Sequence, residues 1–278
     1  MNSIDLGGHS GCKILLNEED DGVNYVRKIS KDKDYNSRLK KQCEKQVSFF
    51  NTGSIKTPKV FRSGFDNAGL FYFDMEYVQG ITLAEYIRNM EIGKVRALVN
   101  TMVENIGLDV DRLGTYDPNP VFMQKFNEVE KKITEKHAVF DKALELLRTH
   151  DWSAFLPSFC HGDMTLENII IKNDELYLID FLDSFYDSYL LDFGTLLQDI
   201  QVMWSYRKDT KADMNLVLRL IVFRDLLIDT IREKDGGLVK EVYYAMLQKL
   251  IRIVPYTKDE QTYQFLVDRV SRAVQEVA

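Results

Sequence analysis

The sequence has few cysteines, few prolines and no long apolar run. Its 278 residues include only 3 Cys and 5 Pro, and Cys12, Cys43 and Cys160 lie too far apart for a zinc knuckle or a disulfide framework. The most apolar stretch, residues 216–228, is interrupted by three charged residues, so nothing approaches the roughly 18 apolar residues of a membrane helix. The N-terminal residues lack the pattern of a signal peptide. We therefore expect a cytoplasmic protein with no membrane partner.

Basic residues are outnumbered by acidic ones, 36 to 43. The net charge is −7, and residues 163–199 hold nine acidic residues against one base, Lys172. Binding to nucleic acid requires clustered Lys and Arg to neutralise phosphates, so nucleic acid is not an expected partner. Several of these acids stand beside apolar, strand-like residues instead of forming a polar run, which suggests that they bind a cation.

Hydrophobic periodicity changes character about a quarter of the way along the chain. Before residue 78 the pattern is mainly that of strands, with one helix; the expected segments are strands at 13–16, 23–29, 59–65 and 70–77 and a helix at 37–50. After Gly80 the spacing is helical, apart from a β-hairpin at 168–180. The sequence therefore predicts an α+β protein with a β-rich N-terminal lobe (1–77), a mainly helical C-terminal lobe (78–278) and a boundary near 75–81.

The strongest motif is Phe-Cys-His-Gly-Asp-Met-Thr-Leu-Glu-Asn at 159–168, followed by Leu-Ile-Asp-Phe at 178–181. Asn168 opens an apolar strand five residues after Asp163, and Asp180 ends the returning strand. A hairpin would bring Asn168 and Asp180 close together, with Asp163 beside them. Amide and carboxylate oxygens suit Mg²⁺, and Asp163, held off the metal, could accept a proton from a hydroxyl group.

This motif resembles the catalytic loop and metal-binding strand of the aminoglycoside phosphotransferase and choline kinase family, which has the bilobal protein-kinase-like fold. The resemblance implies that Asp163 is the catalytic base and that Asn168 and Asp180 hold Mg²⁺. It also implies that His161 supports the loop and that Asp192, which opens the next large helix, braces the loop through backbone hydrogen bonds.

The same resemblance supplies candidates for binding ATP or GTP. They are the glycine-rich loop (Gly8, Ser10, Gly11), a strand lysine (Lys28), a helix acid to pair with it (Glu44), and the hinge carbonyl of Glu76 and N–H of Val78. Lys28 is preferred to Arg27 because Val26 then shares its face of the strand, and strand alternation turns Arg27 to the opposite side.

The acceptor is predicted to be a small molecule. Asp192 follows Asp180 by only 12 positions, which leaves no room for the activation segment of a protein kinase. Four residues in this interval could contact the substrate or be ordinary loop residues: Asp183, Phe185, Tyr186 and Asp187. Residues 201–278 hold 13 basic and 11 acidic residues, which weakens the case for a polycationic aminoglycoside.

The sequence therefore predicts ATP-dependent, Mg²⁺-assisted phosphoryl transfer to a hydroxyl of a sugar, an amino alcohol or an aminoglycoside. Two alternatives remain open at this stage: a catalytically inactive nucleotide-binding module, and a protein kinase with a shortened activation segment. The oligomeric state is not determined by the sequence.

Overall fold

The computed structural model describes residues 3–7, 11–18, 22–49, 51–107, 116–209 and 213–278. The chain divides into two compact units. Unit 1 comprises Met1–Leu83 together with Asn168–Asp183, and unit 2 comprises Ala84–Glu167 together with Ser184–Ala278. The hairpin predicted at 168–180 is thus part of unit 1, whereas the sequence alone suggests the C-terminal lobe. A hinge at 75–81 stays a prediction.

The described part of unit 1 contains two β-sheets and one long helix. Its elements are β1 (Ser3–Asp5), β2 (Lys13–Glu18), β3 (Asn24–Ile29), α1 (Asn36–Ser48), β4 (Ile55–Lys56), β5 (Val60–Phe65), β6 (Phe71–Glu76), β7 (Ile81–Thr82), β8 (Ile169–Lys172) and β9 (Glu175–Leu178). One sheet has the strand order β1-β2-β3-β6-β5, and the other has the order β4-β9-β8-β7. All pairs are antiparallel except β4 with β9.

The hairpins form where turn residues interrupt the alternating pattern. Between β5 and β6, the Asp66 carboxylate accepts hydrogen bonds from the backbone N–H groups of Ala68 and Leu70, each at 2.9 Å. An aspartate at the start of a turn commonly stabilises it in this way. The strands predicted at 13–16, 23–29, 59–65 and 70–77 are all present, with ends displaced by one or two residues.

One face of helix α1 is directed towards the core of unit 1. Its buried residues, Leu39, Gln42, Cys43 and Gln46, have the i, i+3, i+4, i+7 spacing of a single helical stripe. Leu39 and Cys43 belong to the same hydrophobic cluster as Phe73 of β6. This packing fixes the rotation of α1 about its axis and therefore decides which of its polar side chains are buried.

Unit 2 is built from helices. In chain order they are α2 (Leu83–Asn89, whose first residue belongs to unit 1), α3 (Val95–Asn105), α4 (Asn119–Lys132), α5 (Ala138–Thr149), α6 (Tyr189–Val202), α7 (Met214–Lys234), α8 (Leu238–Ile253) and α9 (Glu260–Val277). Every residue of α6 from Leu190 to Ile200 is buried. A Cβ on Gly194 would lie 2.4 Å from the Ala245 Cβ, so glycine permits the close approach of α6 and α8.

The buried α6 helix carries polar groups as well as apolar ones, including Asp192, Gln198 and Asp199. Buried carboxylates require hydrogen-bond partners, and the partners of Asp192 and Asp199 define much of the candidate site. Among the described residues, none of the helices is both long and apolar enough to cross a lipid bilayer.

Candidate active site

Asp192 holds the loop at residues 160–167 by its backbone. One carboxylate oxygen accepts the N–H of His161 at 2.6 Å, and the other accepts the N–H of Gly162 at 2.8 Å. Asp192 is only 1% exposed and lies in the first turn of α6, where the positive end of the helix dipole favours a carboxylate. The conformation of the loop is therefore tied to the N-terminus of α6.

Gly162 is held from both sides. Its φ of 92° lies in a region that side chains other than glycine rarely adopt. While its N–H donates to Asp192, its carbonyl oxygen accepts a hydrogen bond from Lys249 Nζ at 2.9 Å. The next N–H, that of Asp163, donates to Nδ1 of the fully buried His161 at 3.3 Å. The predicted base thus follows a residue whose peptide groups are fixed at both ends.

Lys249 is a site residue that sequence reasoning missed, as are Asp199 and Gln42. It lies in α8, within the run 245–251, all of which is buried. Burial lowers the pKa of its ammonium group, and so does nearby Arg252, whereas Cys160, Asp192 and Asp163 act in the opposite direction. A lysine inside a mainly apolar helical run was the available signal, because a buried lysine requires a specific partner.

A second buried carboxylate anchors the end of the same loop. Asp199 accepts hydrogen bonds from the N–H of Leu166 at 2.7 Å and from the N–H and hydroxyl of Ser205 at 2.7 and 2.6 Å. Burial raises the pKa of Asp199 to about 6, although these three donors work against the increase. Two acids of α6, one turn from each of its ends, therefore fix the two ends of the loop.

In unit 1, Lys28 is the buried basic residue of β3. It is 3% exposed, and its Nζ contacts the Asp180 carboxylate and lies 3.3 Å from Gln42 Oε1. Arg27 points to the opposite face, where it forms a two-point ion pair with Asp74 at 2.6 and 2.8 Å. The strand alternation used to choose Lys28 over Arg27 agrees with this arrangement.

Glu44 does not pair with Lys28, and that prediction is wrong. The Glu44 carboxylate is 62% exposed and lies 3.8 Å from Lys40 Nζ on the outer surface of α1. Gln42 occupies the inward position instead. The reason is helical rotation: Gln42 lies on the buried stripe with Leu39 and Cys43, and Glu44 lies about 200° around the helix from Gln42.

Asn168 and Asp180 flank the β8–β9 hairpin. The backbone carbonyl oxygen of Asn168 accepts a hydrogen bond from the N–H of Ile179 at 3.0 Å. This bond brings Ile179, the residue before Asp180, next to Asn168. Asp180 has a φ of 60° and is partly exposed. The Asn168 amide oxygen and the Asp180 carboxylate are types of donor that suit Mg²⁺. Among the described residues, His, Cys, Asp and Glu form no metal cluster of three or more. Binding of Mg²⁺ by Asn168 and Asp180 stays a prediction.

The remaining nucleotide-binding candidates are only partly described. Gly8 and Ser10 lie outside the described residues, and Gly11 precedes β2 with a φ of 76°. Glu76 ends β6, where its N–H donates to the Lys59 carbonyl at 2.8 Å. Val78 is buried in the irregular segment that follows. The nucleotide contacts proposed for these residues stay predictions.

The four candidate substrate residues differ in environment. Asp183, in unit 1, lies 3.7 Å from Lys41, whereas Asp187, in unit 2, is exposed. The Tyr186 hydroxyl donates to the Phe155 carbonyl at 2.6 Å, and burial raises its pKa to about 12. Tyr186 is therefore a core residue of an aromatic cluster, because its one polar group is already committed.

Phe185 has a different neighbourhood in unit 2. The Lys125 ammonium and the Arg252 guanidinium lie over its ring, 5.7 and 5.5 Å from the centroid. These are cation–π contacts, in which the ring face attracts positive charge. Two basic side chains therefore lie beside this candidate, and one of them, Lys125, is also paired with Glu128 at 3.4 Å.

Comparison with known proteins identifies a family and a fold for this chain. The phosphotransferase enzyme family (APH) matches residues 6–216. A comparison with curated proteins gives no significant match. Among solved structures, a thermostable mutant of aminoglycoside phosphotransferase APH(4)-Ia in its apo form has a TM-score of 0.65 at 13% identity, over 100% of this chain and 95% of that one. The aminoglycoside-3'-phosphotransferase of type VIII has a TM-score of 0.57 at 17% identity, over 100% and 93%.

A third similar structure, a Thermobifida fusca YX-ER1 protein assigned as a fructosamine-3-kinase, has a TM-score of 0.60 at 12% identity, over 99% of this chain and 94% of that one. Identities this low establish the fold alone, and the family match covers well over half of the chain. The chain has the protein-kinase-like α+β fold and belongs to the APH phosphotransferase enzyme family.

Proposed function

We propose that the protein transfers a phosphoryl group from ATP to a hydroxyl group of a small molecule. The observation that carries the proposal is the contact of Lys28 with Asp180. These residues are 152 positions apart in the sequence, and the family resemblance assigns Lys28 to the phosphates and Asp180 to Mg²⁺. Their contact within unit 1 supports both assignments.

In the proposed reaction, Lys28 binds phosphate oxygens of the nucleotide, and Gln42 orients its ammonium group. Asp163 accepts the proton of the acceptor hydroxyl, and the bonds to the neighbouring His161 and Gly162 hold its backbone in place. Asn168 and Asp180 would hold Mg²⁺, which when bound supplies positive charge that neutralises charge developing on the phosphates. Positioning and electrostatics account for most of the rate in this class of reaction.

The surroundings of Phe185 favour a neutral acceptor. If Phe185 helps to shape the acceptor site, then Lys125 and Arg252 would repel a polycationic aminoglycoside at neutral pH. Complexes with hygromycin B are known for APH(4)-Ia, but that protein shares only 13% identity with this chain. A sugar or another neutral polyol is therefore the acceptor class that we expect to be turned over fastest.

The test is an assay of phosphoryl transfer from ATP with Mg²⁺ to panels of sugars, amino alcohols and aminoglycosides. Replacing Asp163 by Asn should lower kcat by about 10²- to 10⁴-fold, the usual contribution of a general base, and should leave ATP affinity within about twofold. Asp141→Asn, at an exposed acid of α5, is the matched control. Full turnover by Asp163→Asn would contradict the mechanism, and transfer to casein alone would point to a protein kinase.

A further inference from the structure

Unit 2 contains a polar cavity at the C-terminal end of α6. It has a volume of about 440 Å³, and the residues that line it include Gln201, Arg224, Met246, Arg269, Arg272 and Glu276. This volume lies within the usual range for small-molecule sites. None of the residues that line the cavity belongs to the loop at 160–167.

The lining is rich in guanidinium groups whose donors are only partly used. Arg224 donates to the neighbouring Asp225 at 2.7 and 2.8 Å. Arg269 and Arg272 share the carboxylate of Asp268. An Nη of Arg269 lies 3.6 Å from it, and Nε and an Nη of Arg272 lie 3.3 and 3.2 Å from it. Close charge-assisted hydrogen bonds measure about 2.7–2.9 Å, and each guanidinium has five N–H donors. Arg269 and Arg272 thus retain most of their capacity to bind an anion.

Two residues that line the cavity each have a buried polar atom without a hydrogen-bond partner: Nε of Arg269 and Oε1 of Gln201. Leaving such an atom unpaired costs about 1–3 kcal/mol, and buried polar groups in proteins are normally paired. Nε is a donor and Oε1 is an acceptor, so a ligand that satisfies both must offer an anionic acceptor together with a donor such as a hydroxyl.

The electrostatics of Arg269 agree with an anionic ligand. Burial and the positive charge of Arg272 both lower its pKa, and Asp268 compensates only in part. The guanidinium remains charged at neutral pH. An anion placed against its Nε would relieve the repulsion between the two arginines, and Glu276 at the edge of the cavity could accept a hydroxyl donor of the same ligand.

We propose that this arginine cavity binds phosphate, either as the free ion or as the monoester of a small hydroxyl compound. The planar fork of Arg269, formed by Nε–H and an Nη–H, matches two oxygens of a phosphate group. Gln201 accepts a hydrogen bond from the protonated phosphate oxygen or from the hydroxyl of the monoester. The assignment does not depend on the proposed transferase activity.

The experiment measures binding of inorganic phosphate and of glycerol 3-phosphate to the full-length protein by calorimetry, with sodium chloride adjusted to constant ionic strength. We expect saturable binding, a Kd that rises at least about tenfold in Arg269→Gln, and a smaller increase in Arg272→Gln, which is exposed enough to fold regardless. Arg232→Gln, at an exposed arginine of α7 paired with Asp229, is the control and should change Kd less than twofold.

A Lys28→Met variant separates this cavity from the proposed nucleotide site. Unchanged phosphate affinity in that variant, together with a phosphate-dependent shift of the Arg269 Nε–H resonance in nitrogen-15 NMR, supports the assignment. Tighter binding of glycerol 3-phosphate identifies a monoester as the ligand, and equal affinities identify free phosphate. Absence of saturable binding, an unchanged Kd in Arg269→Gln, or loss of binding in Lys28→Met overturns the proposal.

Discussion

At the residue scale, two side chains of opposite charge act on the peptide groups of Gly162. Asp192 accepts its N–H, and Lys249 donates to its carbonyl oxygen. Both side chains are buried, at 1% and 7% exposure, so neither bond competes with water. Lys249 is therefore a positioning residue for Asp163, since it contacts the backbone of the preceding residue.

Replacing Lys249 by Met removes the donor and keeps most of the volume of the side chain. We expect kcat to fall about tenfold to a hundredfold, because small misplacements of a catalytic group have large effects, while the Kd for ATP stays within about twofold. The measurements are kcat, either for the best acceptor or for the hydrolysis of ATP by water, and the Kd for ATP. An unchanged kcat would contradict the positioning role.

Stability separates this role from a merely structural one. The lowered pKa of Lys249 means that the unfolded chain binds its proton more readily than the folded chain. As pH falls below about 10.5, the unfolded reference value, Lys249 therefore contributes increasingly against folding, until its folded pKa is passed. Lys249→Met should gain stability relative to wild type as pH falls through that window, measured by urea unfolding, even as its kcat is reduced.

Asp199 gives a pH dependence of the opposite sign, although burial is the main cause in both cases. Its folded pKa of about 6 lies above the ordinary 3.8, so the folded state binds the proton more tightly. Its contribution to stability is fully present below about pH 3.8 and is lost as pH rises through about 6. The loss is about 3 kcal/mol, from the size of the shift. As the pH rises from 4 to 7, the free energy of unfolding of wild type should therefore fall relative to that of Asp199→Asn.

The difference between the two proteins is the informative quantity, because every other acidic residue is common to both. Asp141→Asn, at an exposed position, is the control substitution. A constant difference between wild type and Asp199→Asn across this range would argue that Asp199 does not titrate with a raised pKa.

At the scale of the element, helix α1 decides which side chain meets Lys28. Gln42→Ala removes a neutral acceptor from a buried ammonium group, and hydrogen bonds to charged groups contribute about 1.5–3 kcal/mol. We expect the KM for ATP to rise roughly tenfold or more, because Lys28 loses an orienting contact. Glu44→Ala removes only an exposed pair with Lys40 and should change KM less than twofold, since exposed ion pairs contribute little. ATP kinetics of the two variants check this directly, and the reverse order of effects would restore the Glu44 assignment.

The elements themselves follow closely from local sequence. Alternation predicts β2, β3, β5 and β6 to within one or two residues of each end, and it also separates Lys28 from Arg27. The two-residue strands β4 and β7 carry no such signal. They exist because β9 and β8 present open edges, with β4 joining β9 in parallel from 121 positions away at Ile55 and Leu176.

At the scale of the whole molecule, chain segments far apart in sequence build unit 1. Asp180 reaches Lys28 because residues 168–183 join the N-terminal 83 residues. If Asp180 also binds Mg²⁺, ATP with Mg²⁺ at about 100 times its Kd should stabilise the protein by about 2.7 kcal/mol, or about 5–10 °C in Tm.

Asp180→Ala should remove the Mg²⁺-dependent part of this stabilisation, because a carboxylate ligand is lost. A thermal-shift experiment with ATP, with and without Mg²⁺, measures it for wild type, Asp180→Ala and the control Asp141→Ala. Equal Mg²⁺-dependent shifts in all three proteins would rule out Asp180 as a ligand.

The sequence by itself determined the fold class, the family and the order of the motifs, because each depends on patterns within about twenty residues. It also identified Asp192 as a brace for the loop. Only the tertiary structure decided that Gln42, and not Glu44, meets Lys28, that Tyr186 belongs to the core, and that Lys249 donates to Gly162 from 87 positions away. These outcomes depend on the rotation and packing of helices against distant segments. A local sequence pattern does not determine which distant segment packs against a given polar side chain.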